Sequence, residues 1–145
     1  MKKYDTIFNF NSFFDNLILQ LDMKNECKNM EFFYNTYIDN QYIIIPRHIL
    51  SSKNILIMEY IGGNFLDELN IGEIQKQKII VLLNLFWKDT FMFLDYFHGD
   101  LHDSNWKIIA DTGEDGVNRN IEYKLIIYDF GYVIKNHSDL KDGFK

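Results

Sequence analysis

Three oxygen-bearing side chains stand at a spacing that suits phosphoryl transfer from ATP. The run at 98–105, His-Gly-Asp-Leu-His-Asp-Ser-Asn, contains Asp100 and Asn105, and an Asp-Phe-Gly run begins at Asp129. Asp100 can orient an attacking hydroxyl or accept its proton. Asn105 and Asp129 offer the oxygen atoms that Mg²⁺ prefers as ligands. The two runs predict a Mg²⁺-ATP site in which Asp100 is catalytic and the other two residues hold the metal.

The two histidines of the first run allow three interpretations. His98 is expected to anchor the loop, and His102 to contact phosphate or metal-bound water as a second catalytic residue. Alternatively, both are ordinary loop histidines. The third interpretation is a metallohydrolase cluster of His98, Asp100, His102 and Asp103, because imidazole and carboxylate groups bind transition metals readily. The absence of a second histidine-rich cluster in the sequence weighs against it.

The segment 57–63, Ile-Met-Glu-Tyr-Ile-Gly-Gly, predicts a hinge that would bind adenine. Met58 would face the back of the adenine pocket, and backbone groups of Glu59 and Ile61 would bond the adenine edge. The alternative is a strand that ends in a glycine turn. Glu26, on the first predicted helix, is the candidate partner of a lysine that would hold the ATP phosphates, unless it is a solvated helix glutamate.

A helix and two strands are predicted ahead of these runs. Apolar residues at three- and four-residue steps predict a first helix, broken near Asp22, with a buried face of Phe10, Phe14, Leu17, Leu21, Met23, Cys27, Met30 and Tyr34. Residues 42–45 and 55–60 are predicted as strands joined by a polar connection. Residues 65–69 are predicted as one helical turn.

A long helix is predicted to follow. It should begin near Asn70, because Asn70 and Glu73 resemble a capping box, and end near Tyr96. Its buried stripe is expected to comprise Ile79, Leu83, Phe86, Trp87, Phe91 and Leu94.

A predicted hairpin connects the two runs. Strands at 106–110 and 123–128 are separated by a turn at 111–120 that is rich in Gly and Asp. The hairpin would return Asp129 to the cleft that holds Asp100. The whole order predicts an α+β fold, similar to the middle of a protein-kinase-like fold, from the regulatory helix through the hinge strands to the long large-lobe helix, catalytic loop and hairpin.

Composition predicts a single domain at 1–145. The chain has 145 residues, of which 47% are apolar, so it can bury a core. A formal net charge of −6 without a basic stripe argues against a nucleic-acid partner. A single cysteine, Cys27, argues against a disulfide framework and a cysteine-based zinc site, and fits a reducing, cytoplasmic compartment. No uncharged apolar run reaches the roughly 18 residues of a membrane span.

These features resemble the UbiB-type atypical kinases, a coenzyme Q-linked family of the protein-kinase-like superfamily. The run 98–105 is similar to the His-Ala-Asp-Pro-His-Pro-Gly-Asn type of loop in that family. Asp22, Glu26 and Asn29 match the spacing of its regulatory helix, with Cys27 where alanine is usual. Further agreement comes from Pro46, Met58, Glu59, Gly62 and Phe97.

Other positions depart from that family and leave alternatives open. Gly99 and Leu101 are more similar to aminoglycoside- and choline-kinase relatives, so a small-molecule kinase is one alternative. Asp103 and Ser104 replace the Pro-Gly of both groups, and the extra carboxylate could alter metal affinity. A non-catalytic pseudokinase or interaction fragment is the other alternative.

The resemblance implies ATP and Mg²⁺ as cofactors and one incomplete kinase-like domain. The nucleotide-loop and lysine strands of such kinases have no counterpart before Asp22, and their C-terminal large-lobe helices have none after Gly131. Weak Mg²⁺-ATP binding and little turnover are therefore expected of the chain alone. The apolar faces of Phe13, Phe14, Ile18 and the long helix should be partly uncovered, which predicts a complementing polypeptide or self-association.

Overall fold

The computed structural model describes residues 20–111 and 122–136, together with Phe14 and Ile18. Helix α1 spans Met23–Tyr37 and helix α2 spans Glu73–Phe93. Asp22 is the N-cap of α1, and its carboxylate accepts a 3.0 Å hydrogen bond from the backbone N–H of Lys24, in agreement with the predicted break. A 3₁₀ turn at Leu66–Glu68 matches the helical turn that was expected there.

In the part of the chain that the structure describes, seven short strands form three sheets. In the largest, β1 (Ile43–Ile44), β6 (Glu122–Ile127) and β5 (Trp106–Asp111) lie in that order, with β1 parallel and β5 antiparallel to β6. Strands β2 (His48–Ser51) and β3 (Leu56–Met58) form an antiparallel hairpin. Strands β4 (Tyr96–His98) and β7 (Val133–Lys135) form the third, also antiparallel, sheet.

The core lies between the two helices and the β5–β6 hairpin. Aromatic rings connect these layers: Phe33 of α1 lies 6.3 Å from Phe86 of α2 and 4.9 Å from Phe130. The Tyr37 hydroxyl donates a hydrogen bond to the Asp89 carboxylate and so joins α1 to α2. The remaining buried core residues are Met30, Ile43, Ile45, Ile79, Trp106, Ile108, Tyr123, Leu125 and Ile127.

The long helix begins and ends differently from its prediction. Its N-cap is Gly72 without a side-chain hydrogen bond, so Glu73 is the first helical residue and the expected capping box with Asn70 is wrong. The apolar neighbours Leu69 and Ile71 pack against the core, while Asn70 between them is exposed. The backbone N–H of Ile71 donates to the carbonyl oxygen of Leu69 at 3.0 Å, so Asn70 lies in a tight turn ahead of the helix. At the other end the helix stops at Phe93.

The short strands also differ from their predictions. The expected polar connection between 42–45 and 55–60 contains β2, and β2, not β1, is the partner of β3. Tyr96 belongs to β4 instead of the long helix. Within the expected stripe of α2, Trp87 is 40% exposed, and the buried residues of the helix are Ile79, Phe86 and Thr90.

Asn136 closes the C-terminal end of α2 from a distant part of the chain. Its side-chain nitrogen lies 3.1, 3.1 and 2.8 Å from the carbonyl oxygens of Thr90, Phe91 and Leu94. These carbonyls belong to the last turn, where a helix lacks its own donors. The backbone N–H of Asn136 also donates to the backbone carbonyl oxygen of Asp95 at 2.8 Å. Asn136 therefore connects the end of β7 to the end of α2.

Some predicted features lie outside the described residues. These are the helix positions of Phe10, Phe13 and Leu17, and the turn between β5 and β6. Among described residues, Phe14 and Ile18 are 54% and 63% exposed, in agreement with the uncovered faces expected there. The predicted buried face of the first helix is therefore wrong for Phe14, and also for Leu21, which is 69% exposed. No helix in the described ranges is long and apolar enough to cross a membrane.

Candidate active site

The β5–β6 hairpin brings the two predicted metal ligands to one end of the sheet. Trp106 pairs with Ile127, so Asn105, just before β5, stands opposite Tyr128, just after β6. The backbone N–H of Tyr128 donates to the carbonyl oxygen of Asn105 at 2.8 Å. Asp129 follows Tyr128 directly, so Asn105 and Asp129 lie at the same edge.

The loop from Asp100 to Asn105 is closed by its own polar groups. The carbonyl oxygen of Asp100 accepts hydrogen bonds from the side-chain nitrogen of Asn105 at 2.8 Å and from the backbone N–H of His102 at 3.1 Å. The first bond orients the amide of Asn105, which is 5% exposed. His102 Nε2 lies 3.7 Å from Asp100 Oδ2, and both side chains are more than half exposed. The loop thus presents the two predicted catalytic side chains to solvent beside Asn105.

His98 joins this loop to the segment that carries Asp129. Its ring is 1% exposed, Nδ1 accepts a 3.2 Å hydrogen bond from the backbone N–H of Asp100, and Nε2 lies 3.1 Å from the Tyr128 carbonyl oxygen. This arrangement fits a neutral ring with its proton on Nε2, and burial lowers the pKa of His98. The anchor expected for His98 is confirmed. Because both ring nitrogens face backbone groups, His98 cannot be a ligand of a metallohydrolase cluster.

Asp129 has a backbone conformation that few non-glycine residues adopt, although aspartate tolerates it better than most. Its φ angle is 56°, in the left-handed region, and it is the one non-glycine residue with positive φ among the described residues. The carboxylate accepts a 3.2 Å hydrogen bond from the backbone N–H of Gly131, a local turn that aspartate forms readily. Such a conformation costs of order 1–3 kcal/mol and is common at functional sites. The exposed carboxylate is therefore held by the turn and not by a distant partner.

Phe130 and Asn29 connect α1 to the Asp129 segment. Phe130 is fully buried, stacks on Phe33 with centroids 4.9 Å apart, and lies 5.3 Å from the ring of His98. The side-chain nitrogen of Asn29 donates to the Phe130 carbonyl oxygen at 2.9 Å. In the sequence Asn29 appeared only as part of the helix spacing, because a hydrogen bond across 101 residues leaves no local signal.

Glu26 faces the predicted metal site instead of a lysine. An ideal Cβ at Gly131 would lie 3.7 Å from Glu26 Oε2 and 3.2 Å from Asp129 Oδ1, so both carboxylates border this glycine. Burial and then the charge of Asp129 raise the pKa of Glu26, while a backbone hydrogen bond from Phe130 opposes the rise. In the described ranges, no ion pair joins Glu26 to a lysine. Two carboxylates thus border the predicted metal site.

The predicted hinge borders a cleft that reaches the loop at 98–105. The cleft holds about 320 Å³ and is lined by Met58, Glu59, Tyr60, Ser104, Lys107 and Tyr128. The backbone N–H of Glu59 donates to the backbone carbonyl oxygen of Arg47 at 2.8 Å. The carbonyl oxygen of Ile61 accepts a hydrogen bond from the Tyr128 hydroxyl at 3.0 Å. Met58 and Glu59 therefore share one cleft with the 98–105 loop, whereas the Ile61 carbonyl already has a protein partner.

Lys107 is a cleft residue that the sequence did not single out. It lies on β5, and its ammonium group stands 4.7 Å from the centre of the Phe65 ring. Gly63 allows the hinge to run against the same strand, since an ideal Cβ there would lie 2.9 Å from Ile126 Cδ1 and 3.1 Å from the Ile108 oxygen. Alternation along β5 could have suggested that Lys107 leaves the core, but not that it enters the cleft.

Known proteins share this sequence pattern and fold. The model of the ABC1 atypical kinase-like domain matches residues 1–144. The chain is similar to Rv3197 from Mycobacterium tuberculosis, solved in complex with erythromycin, with 26% identity and a TM-score of 0.61 over 81% of this chain and 28% of that chain. It is also similar to the Rio2 kinase of Chaetomium thermophilum in an ADP/Mg²⁺-phosphoaspartate complex, with 17% identity and a TM-score of 0.59 over 89% of this chain and 36% of that chain. No curated protein matches the chain.

These matches confirm the family and the fold that the sequence predicted. The chain spans 28% and 36% of the length of the two structures. The Rio2 likeness supports the α+β, protein-kinase-like fold alone, because its identity is low. The family model covers nearly the whole chain, and with it the loop, the hairpin and the Asp-Phe-Gly run. The chain therefore belongs to the ABC1 atypical kinase-like family.

Proposed function

We propose that the chain carries part of a Mg²⁺-ATP phosphoryl-transfer site of the atypical kinase type. The observation that carries the proposal is the β5–β6 register, which brings Asn105 and Asp129 to one edge, while a 2.8 Å hydrogen bond ties Asn105 to Asp100. The cleft lined by Met58 and Glu59 extends to the same loop and is the proposed adenine site.

The donor set at this edge fits Mg²⁺. Asn105 and Asp129 offer hard oxygen atoms, and the carboxylate of Glu26 lies nearby. Burial and then the negative charge of Asp129 raise the pKa of Glu26. A divalent cation there would relieve this repulsion, and when bound it would neutralise the phosphate charge. In the proposed roles, Asp100 orients the acceptor hydroxyl and takes its proton, and His102 contacts phosphate. His98 holds the loop to the Tyr128 carbonyl.

Binding of ATP to the purified full chain tests this proposal. Titration calorimetry with and without Mg²⁺ should show weak, Mg²⁺-dependent binding in the parent chain and loss of the Mg²⁺ dependence in Asp129→Asn. Asp39→Asn makes the same charge change at an exposed position after α1 and should leave binding unchanged. Equal ATP affinity in the parent and Asp129→Asn would contradict the proposed metal site.

Turnover is a separate question, and we expect little of it from the chain alone. No described lysine pairs with Glu26, and one electrostatic contact to the transferred group is worth about 3–4 kcal/mol. Phosphate release should therefore be close to background even where ATP binds. Robust Mg²⁺-dependent hydrolysis that Asp129→Ala abolishes would refute this expectation. Absence of any ATP binding would favour the alternative, a non-catalytic interaction fragment.

The exposed side of α2 supports a further proposal, that a complementing polypeptide packs there. Ile74, Val81, Leu85 and Phe93 are each more than half exposed, and an apolar cavity of about 490 Å³ lies between α1 and α2. The chain spans about a third of its solved relatives, so a partner could supply further parts of such a fold. Sedimentation velocity tests the proposal. A stable monomer whose sedimentation does not change when the remaining segments of a related kinase are added would contradict it.

We further propose a reducing, cytoplasmic setting, with which the single free cysteine is consistent. The acidic net charge argues against nucleic acid as a partner. Fluorescence microscopy of the tagged full chain tests the setting, and a signal confined to a secretory compartment would contradict it. A small-molecule acceptor, as in aminoglycoside- and choline-kinase relatives, remains the alternative that Gly99 and Leu101 suggest.

A further inference from the structure

We propose that Cys27, Glu31 and His48 form a transition-metal site of the zinc type, at the junction of α1 and β2. Their ligand atoms, Sγ, a carboxylate oxygen and a ring nitrogen, all lie within 4.8 Å of one another. The site is separate from the Asp100 loop and does not depend on the function proposed above. It revises the expectation drawn from the cysteine count, because a mixed donor set needs only one thiol.

Two elements converge to make this cluster. Cys27 and Glu31 are four residues apart on α1, so their side chains share one face of the helix. His48 begins β2, the strand that packs beside that face. Its Nδ1 lies 3.1 Å from Glu31 Oε1, and the Cys27 sulfur lies 3.8 Å from the same oxygen. The three donors therefore meet at one carboxylate oxygen.

The spacing suits a tetrahedral ion. Zn–S bonds of about 2.3 Å and Zn–N or Zn–O bonds of about 2.1 Å separate neighbouring ligand atoms by roughly 3.4–3.6 Å. The observed separations of 3.1 and 3.8 Å bracket that range. The third separation, between the Cys27 sulfur and the His48 ring nitrogen, is at most 4.8 Å. It has to close by up to about 1.2 Å to place all three donors on one ion. The thiol proton would leave to solvent as the sulfur binds.

The donor types decide which metal the site would take. Thiolate and imidazole select zinc and similar transition metals, whereas Mg²⁺ prefers oxygen ligands and belongs with Asn105 and Asp129. Cys27 is buried, but the Glu31 side chain is 52% exposed, so a water molecule can reach a fourth position. Three protein ligands and one water give the open form of a zinc site.

A metal here would fasten the helix that borders the proposed active site. Cys27 follows Glu26 directly, and one turn of α1 carries both Cys27 and Asn29, which holds the Phe130 carbonyl oxygen. Binding would join this turn to the β2–β3 hairpin, which leads into the hinge. The site would thus fix α1 relative to two other parts of the fold.

Cobalt absorption of the full chain tests the proposal. Co²⁺ added to the reduced parent chain should give a thiolate-to-metal absorption band in the near ultraviolet, which Zn²⁺ then removes by competition. The bands should disappear in Cys27→Ala. His48→Gln should weaken Zn²⁺ binding by more than the roughly 10–100-fold that outer-shell groups contribute. Circular dichroism confirms that each variant is folded, and Glu31→Gln offers a milder change if Cys27→Ala is unfolded.

His102→Ala is the matched control, since His102 with Asp100 is the other described histidine-carboxylate pair. We expect Zn²⁺ affinity to be unchanged in that variant. Cobalt binding without a thiolate band, or affinity that survives Cys27→Ala and His48→Gln but falls in His102→Ala, would overturn the proposal. So would the absence of Co²⁺ and Zn²⁺ binding in the parent, which would leave the cluster as a hydrogen-bonded contact between α1 and β2.

Discussion

Replacement of Phe130 by alanine should remove the centre of the packing between α1 and the catalytic segment. The ring is fully buried, stacks on Phe33 at 4.9 Å and lies 5.3 Å from His98. Truncation of a buried phenylalanine costs about 3–5 kcal/mol, and a lost aromatic pair about 0.5–1.5 kcal/mol more. These contributions overlap, so we expect a loss of about 4 kcal/mol in the free energy of unfolding.

That loss is large beside the roughly 5–15 kcal/mol of a typical domain. Urea unfolding followed by circular dichroism measures it, with fluorescence of the buried Trp106 as a second probe. With a slope of about 2 kcal/mol per molar urea, the midpoint of Phe130→Ala should fall by about 2 M. Phe130→Leu keeps most of the apolar volume and should lose less than half as much.

Phe93→Ala is the matched control, because Phe93 ends α2 with 69% of its surface exposed. A surface change of this kind should stay within about 0.5 kcal/mol of the parent. Equal midpoints for Phe130→Ala and the parent, at an unchanged slope, would refute the inference that Phe130 joins α1 to the catalytic segment. Equal losses in Phe130→Ala and Phe93→Ala would refute it as well.

Three further predictions concern charge and capping. Folding raises the Glu26 pKa above 4.5, so the parent loses stability as pH rises from about that value through the folded-state pKa. Glu26→Gln should remove this loss, which urea unfolding at several pH values measures. A constant difference between the unfolding midpoints of the two proteins across that pH range would contradict the prediction. Folding lowers the His98 pKa below 6.5, so the neutral ring contributes its full stabilisation above pH 6.5, and this stabilisation is lost as pH falls through the folded-state pKa. NMR shifts of the ring protons should show that His98 titrates below pH 6.5. Asn136→Ala exposes the last carbonyls of α2 and should cost about 1–3 kcal/mol in urea unfolding. The control Asn84→Ala, which loses only a local 2.8 Å bond to Ile80 on an exposed face, should cost under about 0.5 kcal/mol.

The elements with strong periodicity were predicted well from the sequence. Helix α1 and the strands β5 and β6 show clear apolar spacing, and the structure has them within a few residues of their expected bounds. Strands β1 and β3 lie inside the segments predicted as strands, 42–45 and 55–60. The short strands β2 and β4 were missed, because three or four residues are too few for alternation to identify them. The Asn70 cap was wrong because packing of the residues on both sides decided where α2 begins.

The candidate site was predicted in part for a similar reason. Asp100, Asn105 and Asp129 could be identified because the motif fixes their spacing, and the hairpin supplies the rest. The position of Glu26 beside Asp129 could not be predicted, because it depends on how α1 packs against a segment much later in the chain. The same holds for Asn29 and Lys107, whose contacts join distant parts of the chain.

The strand order β1-β6-β5 has a consequence for how the protein is made. The central strand, Glu122–Ile127, comes last of the three in the chain, and its inner residues Leu125 and Ile126 pair with Ile43 and Ile44. During synthesis the ribosome releases β1 long before β6, so the pairing edge of β1 stays uncovered until β6 emerges. Such late, long-range pairing slows folding and favours aggregation of nascent chains. The order of the strands therefore predicts that this sheet forms only after β6 has left the ribosome.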